Sequence, residues 1–139
     1  MSATIDRSTL FAALEASWSA ASSATADEWS VDNPALGQCE VTSLVILEYL
    51  GGDLQLSQVF VGDEMTEHHH HNLFGDEAVD LTARQFTGAE TFVDVRRLEH
   101  DFIRKNFPRI RAEVRERYEV LADAVAARIG PPAEPLRGG

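Results

Sequence analysis

Three side chains in this 139-residue sequence have the types and the order of a thiol catalytic centre. Cys39, the single cysteine, opens an apolar segment, and the free N–H groups and dipole of a helix start favour a thiolate there. Four histidines follow at 68–71, and Asp80 lies beyond them. A cysteine, a histidine and an acid supply a nucleophile, a base and the group that orients the base. The order therefore predicts thiol-dependent acyl or amide chemistry.

The four histidines allow more than one interpretation. On a strand, His69 and His71 share one face and His68 and His70 the other, so only one pair is expected to face Cys39. Consecutive histidines also attract transition metals, which makes a metal-binding protein using His68–His71 an alternative function. The spacing between the histidines and the cysteine matches no recognised zinc motif, so no metal ligand is assigned.

The hairpin turn decides which histidine meets the acid. A two-residue turn that begins at Gly75 places His71 opposite Asp80 and His69 on the diagonal, whereas a turn that begins one residue earlier places His69 opposite. A three-residue turn favours His70 instead. The residues alone leave these registers open.

Amide groups near the cysteine are candidates to stabilise a developing oxyanion. They are the backbone N–H of Cys39 and the side chains of Gln38 and Asn33. A second alternative is a non-catalytic ligand-binding or regulatory module, in which Trp29, Asn33 and Gln38 of the loop 25–38 bind a ligand while Cys39 only packs.

Apolar residues at helical spacing predict the helices that position these groups. The segment Cys39–Leu50 is apolar on nearly all sides and ends at two glycines, which predicts a central, buried helix. Residues 22–38 predict a long loop packed around Trp29. The other predicted helices are 8–22, capped by Asp6 or Ser8, a short turn or two near 98–103, and 109–129.

Alternating patterns between the helices predict strands. They are 54–61, then 68–73 and 77–82 as a hairpin, with 91–95 as a fourth strand or an extended connection. Helices followed by antiparallel strands indicate an α+β domain over residues 1–129. Residues 130–139 have few apolar side chains and are predicted to be a disordered tail.

The composition narrows the class of partner. Twelve basic and 23 acidic side chains give a net charge of 12 − 23 = −11 and a pI near 4.7, which disfavours nucleic acid and anionic lipid as partners. No apolar run is long enough for a membrane span. The lone thiol and the absence of a charged, apolar N-terminal segment favour a cytoplasmic protein.

Several segments resemble the YunG family of small bacterial proteins. They are Asn33-Pro-Ala-Leu-Gly-Gln-Cys-Glu-Val-Thr-Ser-Leu-Val45, Leu50-Gly-Gly52, His69-His-His-Asn72, Val79-Asp-Leu-Thr-Ala-Arg-Gln-Phe86 and Arg117-Tyr-Glu-Val-Leu121. Together they span roughly Trp18 to Val125. Family members typically read His-Tyr-Trp-Asn where this chain reads His69-His70-His71-Asn72, so the resemblance implies that His69 is the matching histidine. The turn before Asp80 is one residue shorter than the family's.

The Cys, His, Asp order of that family is similar to papain-like folds of the transglutaminase and arylamine acetyltransferase kind. The resemblance implies a papain-like core with a cysteine-bearing helix packed on a small antiparallel sheet, between N- and C-terminal helices. We thus expect a hydrolase or acyl/amide transferase that uses Cys39, His69 and Asp80 on a small or peptide-like, neutral or cationic substrate, without a cofactor. His71 and Asn72 are further substrate-binding candidates.

Overall fold

One antiparallel sheet and a set of helices make up residues 5–137, the part of the chain that the computed structural model describes. In chain order the elements are α1 (Arg7–Ser17), α2 (Cys39–Leu50), β1 (Asp53–Val61), β2 (Glu64–Phe74), β3 (Glu77–Val79), β4 (Thr91–Leu98), α3 (His100–Asn106) and α4 (Ala112–Ile129). Short 3-10 turns lie at Ala20–Ser22, Ala83–Gln85 and Phe107–Arg109. The predicted α+β class is confirmed.

The sheet has the strand order β3-β2-β1-β4, and each neighbouring pair is antiparallel. The segment 91–95 was predicted to be either a fourth strand or an extended connection. It belongs to β4, at one edge of the sheet. The opposite edge is β3, which pairs only with residues Asn72–Phe74 of β2. At the preceding histidines, β2 is therefore paired with β1 on one side and with no described strand on the other.

The predicted central helix is confirmed with its bounds. Seven of its successive residues, Val41 to Leu47, are buried, because α1 and α4 pack against it and the sheet lies beneath it. The helix ends at Gly51, whose φ of 79° is a conformation that glycine adopts without strain. Within the core, the indole N–H of Trp18 donates to Thr42 Oγ1 at 2.9 Å, which ties the segment after α1 to α2.

The terminal helices are shorter than the predicted ones. Helix α1 begins after Asp6, whose carboxylate accepts from the N–H of Thr9 at 2.8 Å, and ends at Ser17 rather than Ser22. The chain then forms a 3-10 turn, in which the N–H of Ser19 donates to Ser22 Oγ at 3.1 Å. Helix α4 begins at Ala112 rather than 109, because Pro108 lies in the separate turn before it.

The end of the chain differs from the prediction of a disordered tail. Residues 130–137 lie against the domain: Leu136 is 8% exposed, and its N–H donates to Glu48 Oε2 at 3.0 Å. The same carboxylate oxygen accepts from Tyr118 Oη at 2.5 Å. Arg104 also donates to Glu134 O at 2.8 Å, so polar contacts as well as Leu136 anchor this segment. Residues 138–139, also assigned to the tail, and residues 1–4 lie outside the described part.

Candidate active site

Cys39 is the first residue of α2 and lies at a cleft. The carbonyl of the preceding Gln38 accepts the first helical hydrogen bond, from Thr42 N–H, at 2.9 Å. The thiol is part-exposed and lines a cleft of about 670 Å³. The backbone N–H of Cys39 has no acceptor within the helix, because Cys39 is the first helical residue. This N–H is therefore available to a bound oxygen.

His69 is joined to Asp80. Its Nε2 lies 2.8 Å from Asp80 Oδ2, and the side chains are 1% and 29% exposed. The hairpin turns at Gly75 and Asp76, since Phe74 pairs with Glu77, and in this register His71 would come opposite Asp80. However, β3 ends at Val79 rather than at the predicted Thr82, and Asp80 lies in the turn that follows. Asp80 is therefore not paired with β2, and its carboxylate contacts His69, which lies diagonal to it, instead of His71.

Aromatic rings hold the imidazole of His69 in place. Phe86 packs edge-on against it with ring centroids 4.9 Å apart, and Phe92 lies 5.9 Å away at a tilt. The two phenylalanines also contact each other at 5.0 Å. Sequence reasoning did not identify either ring as part of the site. The signal available was their position, because they flank the segment that connects the acid to β4.

The thiol and this imidazole shift each other's ionisation. Burial raises the pKa of the Cys39 thiol, but the imidazoles of His69 and His70 outweigh it and lower that pKa from 9.0 to about 6. Burial lowers the pKa of His69, but Asp80 and Cys39 raise it from 6.5 to about 9. At neutral pH these opposite shifts favour a thiolate beside an imidazolium.

Both His69 and His70 lower the pKa of the thiol although they alternate along β2, whereas a single alternate pair was expected to face Cys39. The Nδ1 atoms of His69 and His70 are both buried and make no conventional hydrogen bond within residues 5–137. Because β3 pairs only with Asn72–Phe74, β2 has no described strand partner on that side at these histidines. The role of His70 was missed because strand alternation argued against it.

The predicted oxyanion and recognition residues mostly serve the loop that precedes α2. Gln38 is fully buried, with its Nε2 donating to Ser19 O at 2.9 Å and its Oε1 accepting from Ser22 Oγ at 2.8 Å. The indole N–H of Trp29 donates to Pro34 O at 2.8 Å. Asn33 forms a backbone bridge with Ser30, and neither Trp29 nor Asn33 is among the cleft-lining residues.

A glutamine joins the turn after Asp80 to the loop before Cys39. Gln85 Oε1 accepts from the N–H of Gly37 at 3.2 Å, and its Nε2 donates to Thr82 Oγ1 at 3.2 Å. Gly37 has a φ of 73°, and a Cβ there would lie 2.3 Å from Ser23 Oγ, so only glycine fits. These contacts fix the acid's turn relative to the cysteine.

Asn72 and His71 lie beside the site in different roles. Asn72 is buried, and its Nδ2 donates to Ser43 O at 3.0 Å, which joins β2 to α2. The ring of His71 stacks on that of His69 at 6.2 Å. Ligand atoms of His69, His71 and Asp80 lie within 4.8 Å of one another, so these three side chains could hold a metal ion. Such an ion would compete with the His69–Asp80 hydrogen bond.

The cleft is lined by more acidic than basic side chains. Arg117 lies 4.0 Å from Glu40, and Arg111 lies 3.7 Å from Glu113. The lining residues are Ala24, Thr25, Glu28, Leu36, Gly37, Cys39, Glu40, Leu56, Glu67, His68, His70, Gln85, Arg111, Glu113 and Arg117. Glu28 and Glu67 form no salt bridge among the described residues, so the cleft has an acidic excess.

Comparisons with known proteins agree with the resemblance seen in the sequence motifs. A family model described as YunG protein matches residues 6–130. The chain is 31% identical over 107 residues to the Uncharacterized protein YunG of Bacillus subtilis (strain 168), an alignment that covers 69% of this chain and 86% of the relative. No solved structure matches the chain. None of the helices within residues 5–137 is long and apolar enough to cross a membrane.

Proposed function

The chain belongs to the YunG family, and we propose that it is a thiol-dependent hydrolase or acyl/amide transferase. The proposal rests on one arrangement: a cysteine that opens on a cleft, beside a histidine whose far nitrogen is held by an acid. Cys39 is the nucleophile, His69 the base and Asp80 the group that orients the base.

The tautomer of His69 supports this assignment of roles. With Nε2 donating to the Asp80 carboxylate, the neutral ring presents the lone pair of Nδ1, which has no hydrogen-bond partner within residues 5–137. Nδ1 takes the thiol proton, and Asp80 stabilises the imidazolium that results. The thiolate then attacks a carbonyl carbon, with the N–H of Cys39 as a donor to the oxyanion.

We extend the proposal to the fold. A cysteine at the start of a buried helix, packed on an antiparallel sheet that carries the histidine, is the arrangement expected of a papain-like core. The elements that support this interpretation are α2 and the strand β2, joined by the Asn72–Ser43 hydrogen bond. A thiolate at neutral pH also accords with a reducing compartment, so we propose a cytoplasmic location.

The cleft supports a small or peptide-like substrate that is neutral or cationic. Its volume of about 670 Å³ is within the range of small-molecule sites. Glu28 and Glu67 are carboxylates without a salt-bridge partner among the described residues, and they would attract a cation and repel an anion.

Acylation of Cys39 by p-nitrophenyl acetate tests the proposal. We expect a burst of p-nitrophenol and an acetyl group on Cys39 by peptide mass spectrometry. Cys39→Ser should show neither, and His69→Gln should slow the burst. His68→Gln, which changes another histidine of the cleft, should leave the burst unchanged. Wild-type protein that is never acetylated at Cys39 would instead support a non-catalytic ligand-binding module.

The His69, His71 and Asp80 cluster favours metal binding as a second candidate function. Binding of Zn²⁺ to chelator-treated protein, measured by calorimetry, separates the two candidates because a metal needs His71 and the thiolate does not. One Zn²⁺ per chain, lost in His71→Ala and kept in His68→Ala and Cys39→Ser, would support it. An absence of stoichiometric binding would dispose of this candidate.

A further inference from the structure

The two histidines that act on the thiol differ in their access to the cleft. His69 is 1% exposed, is enclosed by Phe86 and Phe92, and is not among the residues that line the cleft. His70 is part-exposed and lines the cleft together with Cys39. A group bound in the cleft would therefore meet the ring of His70 before that of His69.

The ring of His70 borders apolar residues such as Leu44 and Leu54 on one side, but one of its nitrogens is left without a partner. Its Nδ1 is buried and has no hydrogen-bond partner within residues 5–137, although an unpaired buried nitrogen is costly. The ring also contributes, after His69, to the lowered pKa of the Cys39 thiol. An imidazole of this kind is typical of a group that exchanges protons.

We propose that His70 is a second catalytic residue, which donates the proton to the leaving group while His69 maintains the thiolate. This inference rests on the proposed thiol chemistry. The Cys39 sulfur forms a bond to the carbonyl carbon, and the bond from that carbon to the leaving heteroatom breaks. The heteroatom keeps the electron pair and takes a proton from the ring of His70.

Deacylation restores both groups. A water molecule or an acceptor nucleophile attacks the acyl carbon, the carbon–sulfur bond breaks, and its electron pair returns to the sulfur as thiolate. The proton of the attacking group passes to His70, which is then ready for the next turnover. His69, which is 1% exposed and bonded to Asp80, keeps its protons throughout.

A series of acetate esters with increasingly basic phenol leaving groups tests this division of roles. Protonation of the leaving group has little effect on the rate when p-nitrophenol leaves, because its anion is weakly basic. It has most effect when the more basic unsubstituted phenol leaves. Because His70 also helps to hold the thiolate, His70→Gln should slow acetylation by both esters, and roughly tenfold or more beyond that general loss with phenyl acetate. His70→Asn provides a second variant if the first is unstable, with folding checked by circular dichroism. His68→Gln is the control, because His68 also lines the cleft but does not act on the thiol.

Each outcome decides the matter. A steeper dependence of rate on leaving-group basicity in the His70 variants alone supports the inference. Parallel dependences in the wild type and these variants overturn it and leave the thiol chemistry intact. If wild-type Cys39 is not acetylated by any of the esters, both the inference and the proposed function fall.

Discussion

His69 is bonded to Asp80 even though the β2–β3 register places His71, not His69, opposite this acid. The ladder stops at Val79, and Asp80 turns away from the strand direction. The pair His69–Asp80 is therefore a tertiary contact, held by the turn after β3 and by Phe86 against the imidazole.

The thiol of Cys39 should alkylate as a thiolate from mildly acidic pH. With its pKa lowered to about 6, the rate with iodoacetamide should rise through pH 6 and level off near neutrality. Loss of the imidazolium in His69→Gln should shift the midpoint upward and reduce the rate at pH 7, on the order of tenfold or more. A midpoint near that of a free cysteine, unchanged by the substitution, would disprove the ion pair.

Removing the charge of Asp80 should raise the pKa of the thiol less than removing His69 does. Asp80→Asn keeps the size of the side chain but takes away the charge that stabilises the imidazolium. The expected result is a smaller upward shift of the alkylation midpoint. Asp76→Asn, in the exposed hairpin turn, is the matched control and should have no effect. Equal profiles for the two variants would mean that Asp80 does not act on the site.

The contribution of His69 to stability should fall at alkaline pH. The Cys39 thiol, whose pKa is lowered from 9.0 to about 6, contributes in the opposite direction, so the effect of His69 is isolated in Cys39→Ser protein. Burial opposes the charge of His69, but Asp80 and Cys39 raise its pKa from 6.5 to about 9. A pKa raised by folding stabilises the folded state fully below pH 6.5, and this contribution is lost as the pH rises through 9. Urea denaturation at pH 6 and pH 10, compared between Cys39→Ser and Cys39→Ser/His69→Gln, measures the contribution of His69. A pH dependence that is the same in both proteins would contradict the prediction.

Substitution of Gln38 distinguishes a role in holding the loop before α2 from the predicted role in stabilising an oxyanion. Gln38→Leu removes its hydrogen bonds to Ser19 and Ser22 and should cost about 1–3 kcal/mol in free energy of unfolding. If the amide only holds the loop, the fraction that remains folded should acetylate at the wild-type rate per active thiol. A large loss of acylation rate in folded protein would instead support the predicted oxyanion role.

The segment after α4 should contribute to stability. Leu136→Ala empties a buried position and should lower the free energy of unfolding by about 2 kcal/mol or more. Glu134→Ala is the matched control, since that side chain is exposed and its backbone carbonyl, which accepts from Arg104, is retained. Urea denaturation is the measurement. Equal stabilities would show that the segment packs without stabilising the fold.

Much of the architecture could be read from local patterns. The apolar run of α2, its glycine end and the alternation in β1 each depend on near neighbours in the sequence, so their positions were predicted closely. The cysteine at the helix start follows from the same pattern. The boundary of β3 could not be predicted, because it depends on where the chain turns towards the loop before α2 through Gln85.

Contacts between distant segments account for the remaining errors. The sequence gives no local sign that Glu48 is buried on α2 and recruits the N–H of Leu136. It likewise gives no sign that both His69 and His70 lower the pKa of one thiol. These contacts form when helices and strands pack together, so they cannot be predicted from the periodicity of apolar residues within one segment.

The brevity of β3 has a consequence for motion within the folded state. Three residue pairs hold this strand against β2, and the carboxylate of Asp80 lies directly after them. Strands so short at a sheet edge belong to the segments that open locally without global unfolding. An opening here would release Asp80 from His69 while Cys39 stays on its buried helix. The amides of Glu77, Ala78 and Val79 should then exchange with deuterium faster than those of α2, and the fully assembled site would be present only while this strand is closed.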